Sequence, residues 1–323
     1  MVERRKSSKP KAGAPKRRAS DGIKQDKNYD ARPGYDPKFV GFQAPLPKLS
    51  KAAAKDAATI PVKKKSENKH ELKYHHYSVI LNAARKLAFI AAVNYDGKAK
   101  ARVTRTGPDK WFADPRVDKE AQTSNKLYAK NALDRGHLVR RADAGWGATK
   151  EEAKKANDDT FHFTNCSPQH EIFNQAKKAR QEDLLLWGNI EEHIAAQGKT
   201  MGQRLTVFNG PVFRSTDRPH RGLPVPKEFW KVVVYRQAGK KGRLRALAFI
   251  LSQEGLIANL PLEEFEVGPY RPFQVRVREI EARTKLDFGD LSSADPLKDE
   301  GSDEHFEARS DSVLLTSLDD IVL

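Results

Sequence analysis

The chain has 323 residues, enough for one large domain or two small ones with a sizeable core. Lys and Arg outnumber Asp and Glu by 59 to 43, a net charge of +16 that suits a polyanionic partner. No run approaches the roughly 18 to 20 apolar residues of a bilayer span, and the single cysteine, Cys166, excludes a disulfide framework and a CxxC zinc site.

Residues 1–72 read as a basic tail. The first twenty hold eight Lys or Arg against one acid, Glu3, with Pro, Ala, Gly and Ser between them. Such composition buries too little apolar surface to offset chain entropy, so this stretch is expected to be disordered. It could serve as a nucleic-acid-binding arm, a transport address or a solubilising linker. No apolar stretch follows the basic start Met1–Lys6, so no cleavable signal is expected and the chain reads as intracellular at synthesis.

Order is expected from near Leu72. Tyr77–Leu81 and Leu87–Val93 predict strands, the second ending at an Asp96-Gly97 turn. The alternating stretch Thr160–Asn165 predicts another, as do Leu205–Phe213 and Phe229–Tyr235. Leu244–Ile250 pairs naturally with the last of these across Gly239–Gly242. Apolar residues at 184, 187, 190 and 194 predict a helix over Leu184–Ala196, and Val275–Thr284 a shorter one. Strands and helices without regular βαβ alternation predict an α+β domain. The end reverses sign: Asp299–Leu323 carries eight acids against Arg309 alone, and residues 291–323 read as an acidic tail. This tail could lie in a basic groove of the same chain, and Ser312–Leu315 is apolar enough to dock.

Nine histidines offer candidate bases, but most lack supporting spacing. His75, His76, His193, His220 and His305 read as surface or packing residues. His170-Glu171 is no zinc-protease motif, because no His follows four residues after His170. Cys166 reads as a small core residue. His137 differs, because Asp134-Arg135-Gly136-His137 places a carboxylate, a guanidinium and an imidazole within four residues, with Gly136 permitting a sharp turn. Downstream come Asn165-Cys166-Ser167-Pro168-Gln169 and Asn174-Gln175.

These two blocks resemble the DNA/RNA non-specific endonuclease family, whose core is the ββα-metal (His-Me finger) motif. The likeness covers roughly residues 73–290 and extends to Trp111…Asp114-Pro115, Asn209-Gly210-Pro211, Phe229-Trp230-Lys231 and Ile280-Glu281. It implies a mainly antiparallel sheet flanked by helices and an endonuclease that cuts DNA and RNA with Mg2+, Mn2+ substituting, to leave 5′-phosphates. Some relatives are homodimers, and no membrane partner is implied. By the same resemblance His137 is the general base, and Arg135 supports the phosphate or the geometry of the site. Asn165 helps to build the site, and Asn174 binds the metal. The transition-state arginine is Arg105 or Arg116, with Arg105 preferred. The glutamate that steadies metal-bound water is displaced. Glu182 keeps the family's distance from Asn174, whereas Glu191 keeps its neighbours in Trp187-Gly188-Asn189-Ile190-Glu191. An unbroken helix from Asn174 would carry Glu191 roughly 25 Å away, so the preferred Glu191 requires Lys177 to about Leu185 to loop out. A binding protein that has lost catalysis on the same scaffold is the alternative reading.

Overall fold

Continuous apolar runs build the centre of the chain into one antiparallel sheet buried on both faces. The structure is a computed structural model that describes residues 23–103, 108–171, 182–197, 200–239, 242–257, 272–297 and 312–323, with backbone alone for 182–188 and 255–256. The strands that matter are β1 (Glu71–Lys73), β2 (Tyr77–Asn82), β3 (Leu87–Asp96), β4 (Leu133–His137), β5 (Cys166–His170), β6 (Thr200–Val212), β7 (Glu228–Gln237), β8 (Leu244–Ser252), β9 (Phe273–Val275) and β10 (Ser312–Leu314). Eight of them form the main sheet in the order β10-β9-β8-β7-β6-β3-β2-β1. β4 and β5 pair separately. Three helices frame these strands: α1 (Lys150–Asp159), α2 (Glu182–Ala196) and α3 (Val277–Thr284).

The two sheet faces carry separate cores. Along β7, Phe229, Val233 and Tyr235 join one cluster, while Trp230, Val232 and Val234 join the other. The first face is covered by α2 through Ile190 and Ile194, and by residues of β4 and β5. The second is covered by Tyr35, Val40 and Ala44 from the N-terminal segment and by Val277 and Ile280 of α3. This is the expected α+β arrangement, a mainly antiparallel sheet flanked by helices. No helix among the described residues is long and apolar enough to cross a membrane.

Three expectations change, and one, the docking of Ser312–Leu315, is met. The tail does not extend to residue 72: from Ile23 onward the segment packs on the domain, and its Arg32 donates twice to Asp159 at 2.8 Å. Burial works to raise the Asp159 pKa, but His75 and Arg32 outweigh it and hold the carboxyl well below the ordinary range. The C-terminal residues also dock. Ser312–Leu314 pair with β9, Leu315 is buried, and the Gln274 side chain bonds Val322 in both directions at 2.9 Å. The acids from Asp299 to Asp311 lie outside the described residues. Thr160–Asn165 is not a strand but a run of tight turns leaving α1, with amides donating three residues back. Its alternating pattern arises because every residue in it is buried, and the strand begins only at Cys166. Finally, 182–185 belong to α2 and not to a looped-out segment.

Candidate active site

The two motif blocks are one unit of structure. β4 and β5 pair antiparallel, with Asp134 opposite Gln169, Gly136 opposite Ser167 and His137 opposite Cys166. The turn expected at Gly136 is absent, since it lies inside β4 and is not among the positive-φ glycines. Its missing side chain serves close approach instead. A Cβ there would fall within the Gln169 side chain, 2.6 Å from Cγ and nearer still to Cδ and Oε1. The Asp-Arg-Gly-His block therefore accommodates the Ser-Pro-Gln block directly.

His137 ends β4 between two aromatic rings. Trp111 lies at 4.6 Å between centroids, and Phe161 presents its edge at 4.9 Å. These walls hold the imidazole and shield it from bulk water. Behind it, Asn165 is wholly buried, and its side chain replaces a strand neighbour. Its Oδ1 accepts from Val139 N at 2.9 Å, and its Nδ2 donates to Val139 O and Thr160 O at 3.0 Å each. The Asn165 amide is fully used in fixing the backbone, at Thr160 and at Val139, two residues beyond His137. The turn that carries it is anchored by Thr164, 2.6 Å from the Tyr74 hydroxyl, which also donates to Asp114. Arg135 shares a face of β4 with His137 by strand alternation, its guanidinium 5.6 Å over the Tyr128 ring.

Of the two candidate transition-state arginines, Arg105 lies outside the described residues. Arg116 is committed elsewhere: it clasps Asp114 through Nε at 3.0 Å and Nη2 at 2.7 Å, and donates to Lys73 O. Cys166 is core, as expected. Burial pushes its thiol up to about 12, and the Tyr128 hydroxyl sits 3.0 Å from Sγ. His75 bonds Asp159, and His76 stacks on Trp146 at 3.7 Å, so both are packing residues.

Asn174 also lies outside the described residues, and Glu182 is known only as a backbone position, two and a half turns and about 13.5 Å before Glu191 along α2. Glu191 meets two cations. Its Oε1 is 2.5 Å from Lys231 Nζ, and its Oε2 is 3.2 Å from Arg140, which also grips Asp143 at 2.6 Å. Arg140 also reaches Glu192 at 3.7 Å, so two cations meet three carboxylates, with Glu191, Asp143 and Lys231 buried. Burial acts to raise the Glu191 pKa, yet Arg140 and Lys231 keep it below the ordinary carboxylate range; burial draws the Lys231 ammonium down. Sequence reasoning missed Lys231, Arg140 and Asp143, although a lysine inside the apolar run Phe229–Tyr235 signals a buried anion.

A metal at this site would find few protein ligands. Among the described residues no three His, Cys, Asp or Glu side chains converge to hold an ion, and the Glu191 carboxylate already faces two positive groups. That donor set does not fit a carboxylate cage.

Comparison with known proteins agrees with this architecture. The family described as DNA/RNA non-specific endonuclease matches residues 55–295. The protein y4fB of Sinorhizobium fredii, described as uncharacterized, is 40% identical over 283 residues, 83% of this chain and 40% of that one. Mitochondrial endonuclease G of Bos taurus and of Homo sapiens are each 27% identical over 158 residues, 45% of this chain and 47% of theirs. The match thus spans less than half the length of each of these relatives. A crystal structure of an EndoG/EndoGI complex shares the fold, with a TM-score of 0.50 at 18% identity over 70% of this chain and 87% of that one. Matched over most of its length, from residue 55 to 295, the chain belongs to the DNA/RNA non-specific endonuclease family.

Proposed function

We propose that this chain is a metal-dependent endonuclease that hydrolyses phosphodiester bonds of DNA and RNA, leaving 5′-phosphates. The observation that carries the reading is the setting of His137. His137 stands at the end of β4, walled by Trp111 and Phe161, with Asn165 fixing the backbone two residues beyond it. In this reading a ring nitrogen of His137 accepts the proton of the attacking water, which a neutral imidazole does well near neutral pH. Arg135, on the same strand face, holds the substrate phosphate. Asn174 would hold Mg2+, or Mn2+ in its place, to supply charge stabilisation and assist the departing 3′-oxygen. Glu191 acts at one remove, through the ion cluster that fixes Arg140 three residues beyond His137. Contacts of this kind reach phosphates and carry no sequence information directly, so little sequence specificity is expected.

Digestion of plasmid DNA and of RNA tests this, comparing Mg2+ with EDTA and wild type with His137→Ala. Cleavage by the wild type alone, and only with metal, supports the reading; products that accept kinase label only after phosphatase treatment establish 5′-phosphates. Intact substrates with Mg2+ and Mn2+ would overturn the enzyme, and full activity of His137→Ala would overturn the mechanism. Sedimentation of the full chain tests the homodimer expected from relatives.

A further inference from the structure

A second basic site lies at one end of the main sheet. Where β3 ends, β6 begins and β7 ends, a cleft of about 540 Å³ is lined by Lys38, Lys98, Arg204 and Arg236. The one acid in its wall, Asp96, is already engaged by the Lys98 amide at 2.9 Å and by Arg204 at 3.4 Å. The remaining positive charge has no counterpart in the wall. Arg236 is the most telling of the four. Its Nε is buried against Gly242 and meets no hydrogen-bond acceptor among the described residues, while its guanidinium lies 5.4 Å over the Phe42 ring.

The cleft is not only charged. Phe39 and Val40 line it, with Arg204 5.3 Å over the Phe39 ring, and Met201 stands 45% exposed at its edge. Cations beside apolar side chains match a ligand that alternates phosphates with bases. The cleft is also joined to the active-site strand. Arg102 donates to the Asp96 carbonyl at the cleft and, at 3.2 Å, to the Ala142 carbonyl five residues after His137. Next to Ala142, Arg141 lies 5.7 Å over Phe161, the ring that abuts His137.

From this geometry we infer that the cleft is a second binding subsite for nucleic acid, holding the phosphate backbone of a strand away from the bond being cut. The inference rests on the nucleic-acid reading above and adds to it a surface that sets affinity for long substrates without taking part in the chemistry.

The test is equilibrium binding of a fluorescein-labelled 30-nucleotide duplex by the full chain in EDTA, across salt concentrations. The cleft variant Lys38→Glu/Lys98→Glu/Arg204→Glu changes three exposed residues. A control, Lys51→Glu/Lys64→Glu/Lys65→Glu, makes the same charge change at exposed residues elsewhere. A third variant, Arg236→Gln, tests the buried guanidinium. The cleft variant should bind about tenfold or more weakly, with the salt slope reduced by about 0.9 per lost phosphate contact, while the control stays near wild type. Arg236→Gln should weaken binding in the same direction. Turnover of a saturating short oligonucleotide should not change. Equal weakening by cleft variant and control, or unchanged binding in the cleft variant, overturns the subsite. Because binding is measured without metal, loss of affinity in the cleft variant supports the subsite even if no form of the protein cuts, an outcome that would fell the nuclease reading alone.

Discussion

Replacing Glu191 with glutamine separates two roles for one carboxylate. Glu191 is 1% exposed and Lys231 3%, and the two meet at 2.5 Å with Arg140 beside them at 3.2 Å. Glu191→Gln keeps the shape and removes the charge, leaving Lys231 without its ion-pair partner and Arg140 with Asp143 and Glu192. Breaking a buried pair from one side costs about 3–5 kcal/mol, because the surviving charge stays out of water. At about 2–4 °C per kcal/mol for a domain near this size, the melting temperature should fall by roughly 6–20 °C.

The partner experiment closes the cycle. Glu191→Met/Lys231→Met removes both charges and leaves Arg140 paired with Asp143, so most of the lost stability should return. Thermal and denaturant melts of wild type, Glu191→Met, Lys231→Met and the double variant give the coupling energy. Assayed well below its melting temperature, Glu191→Gln should keep the wild-type Mg2+ dependence. A variant that melts like wild type but needs far more Mg2+ would refute this account and return Glu191 to the metal's water shell.

Three further outcomes follow from other contacts. Gly136→Ala should destabilise by about 1–3 kcal/mol, since its methyl must displace Gln169, and Gln169→Ala should rescue the melting temperature if that clash is the cause. Asn165→Ala strands the Val139 amide and two carbonyls, so a loss of about 2–4 kcal/mol is expected in denaturant melts, with turnover falling at every pH because His137 loses its brace. Asp159 has a lowered folded pKa, so its contribution is complete above the unfolded value near 4 and disappears as pH falls through the folded value. Stability should therefore decline with acid from about pH 4 downward, and Asp159→Asn should be weaker at pH 7 with a flatter acid limb.

The parts of this molecule legible in the sequence are those specified locally. The helix over Leu184–Ala196 announces itself by its apolar period, and the strands at Leu205–Phe213, Phe229–Tyr235 and Leu244–Ile250 by continuous apolar runs, because both faces of the sheet are covered. Helix α1 could have been found by its cap, where Thr149 accepts from the Glu152 amide at 3.2 Å, a Thr-x-x-Glu signal. What composition hid was long-range. The N-terminal segment is polar enough to look disordered, yet Arg32 reaches Asp159 across 127 residues, and a few of its apolar side chains cover part of a sheet face. The motif showed that Gly136 mattered and not why, since the reason is a side chain from another block.

The displacement between Asn174 and Glu191 has a physical resolution in how Glu191 is anchored. Were its position set by helical distance from Asn174, nine extra residues would swing it half a turn and carry it about 13.5 Å along the axis. Its place is instead set by the sheet. Lys231 projects from β7 on the face that α2 covers, Arg140 follows directly from β4, and both converge on the same carboxylate. Ile190 and Ile194 seat the same turn of α2 in the core beneath. Chain length upstream of α2 can change without moving Glu191, provided these contacts stay. Glu191 is thus held by its own contacts with the sheet, whatever the number of residues that separates it from Asn174.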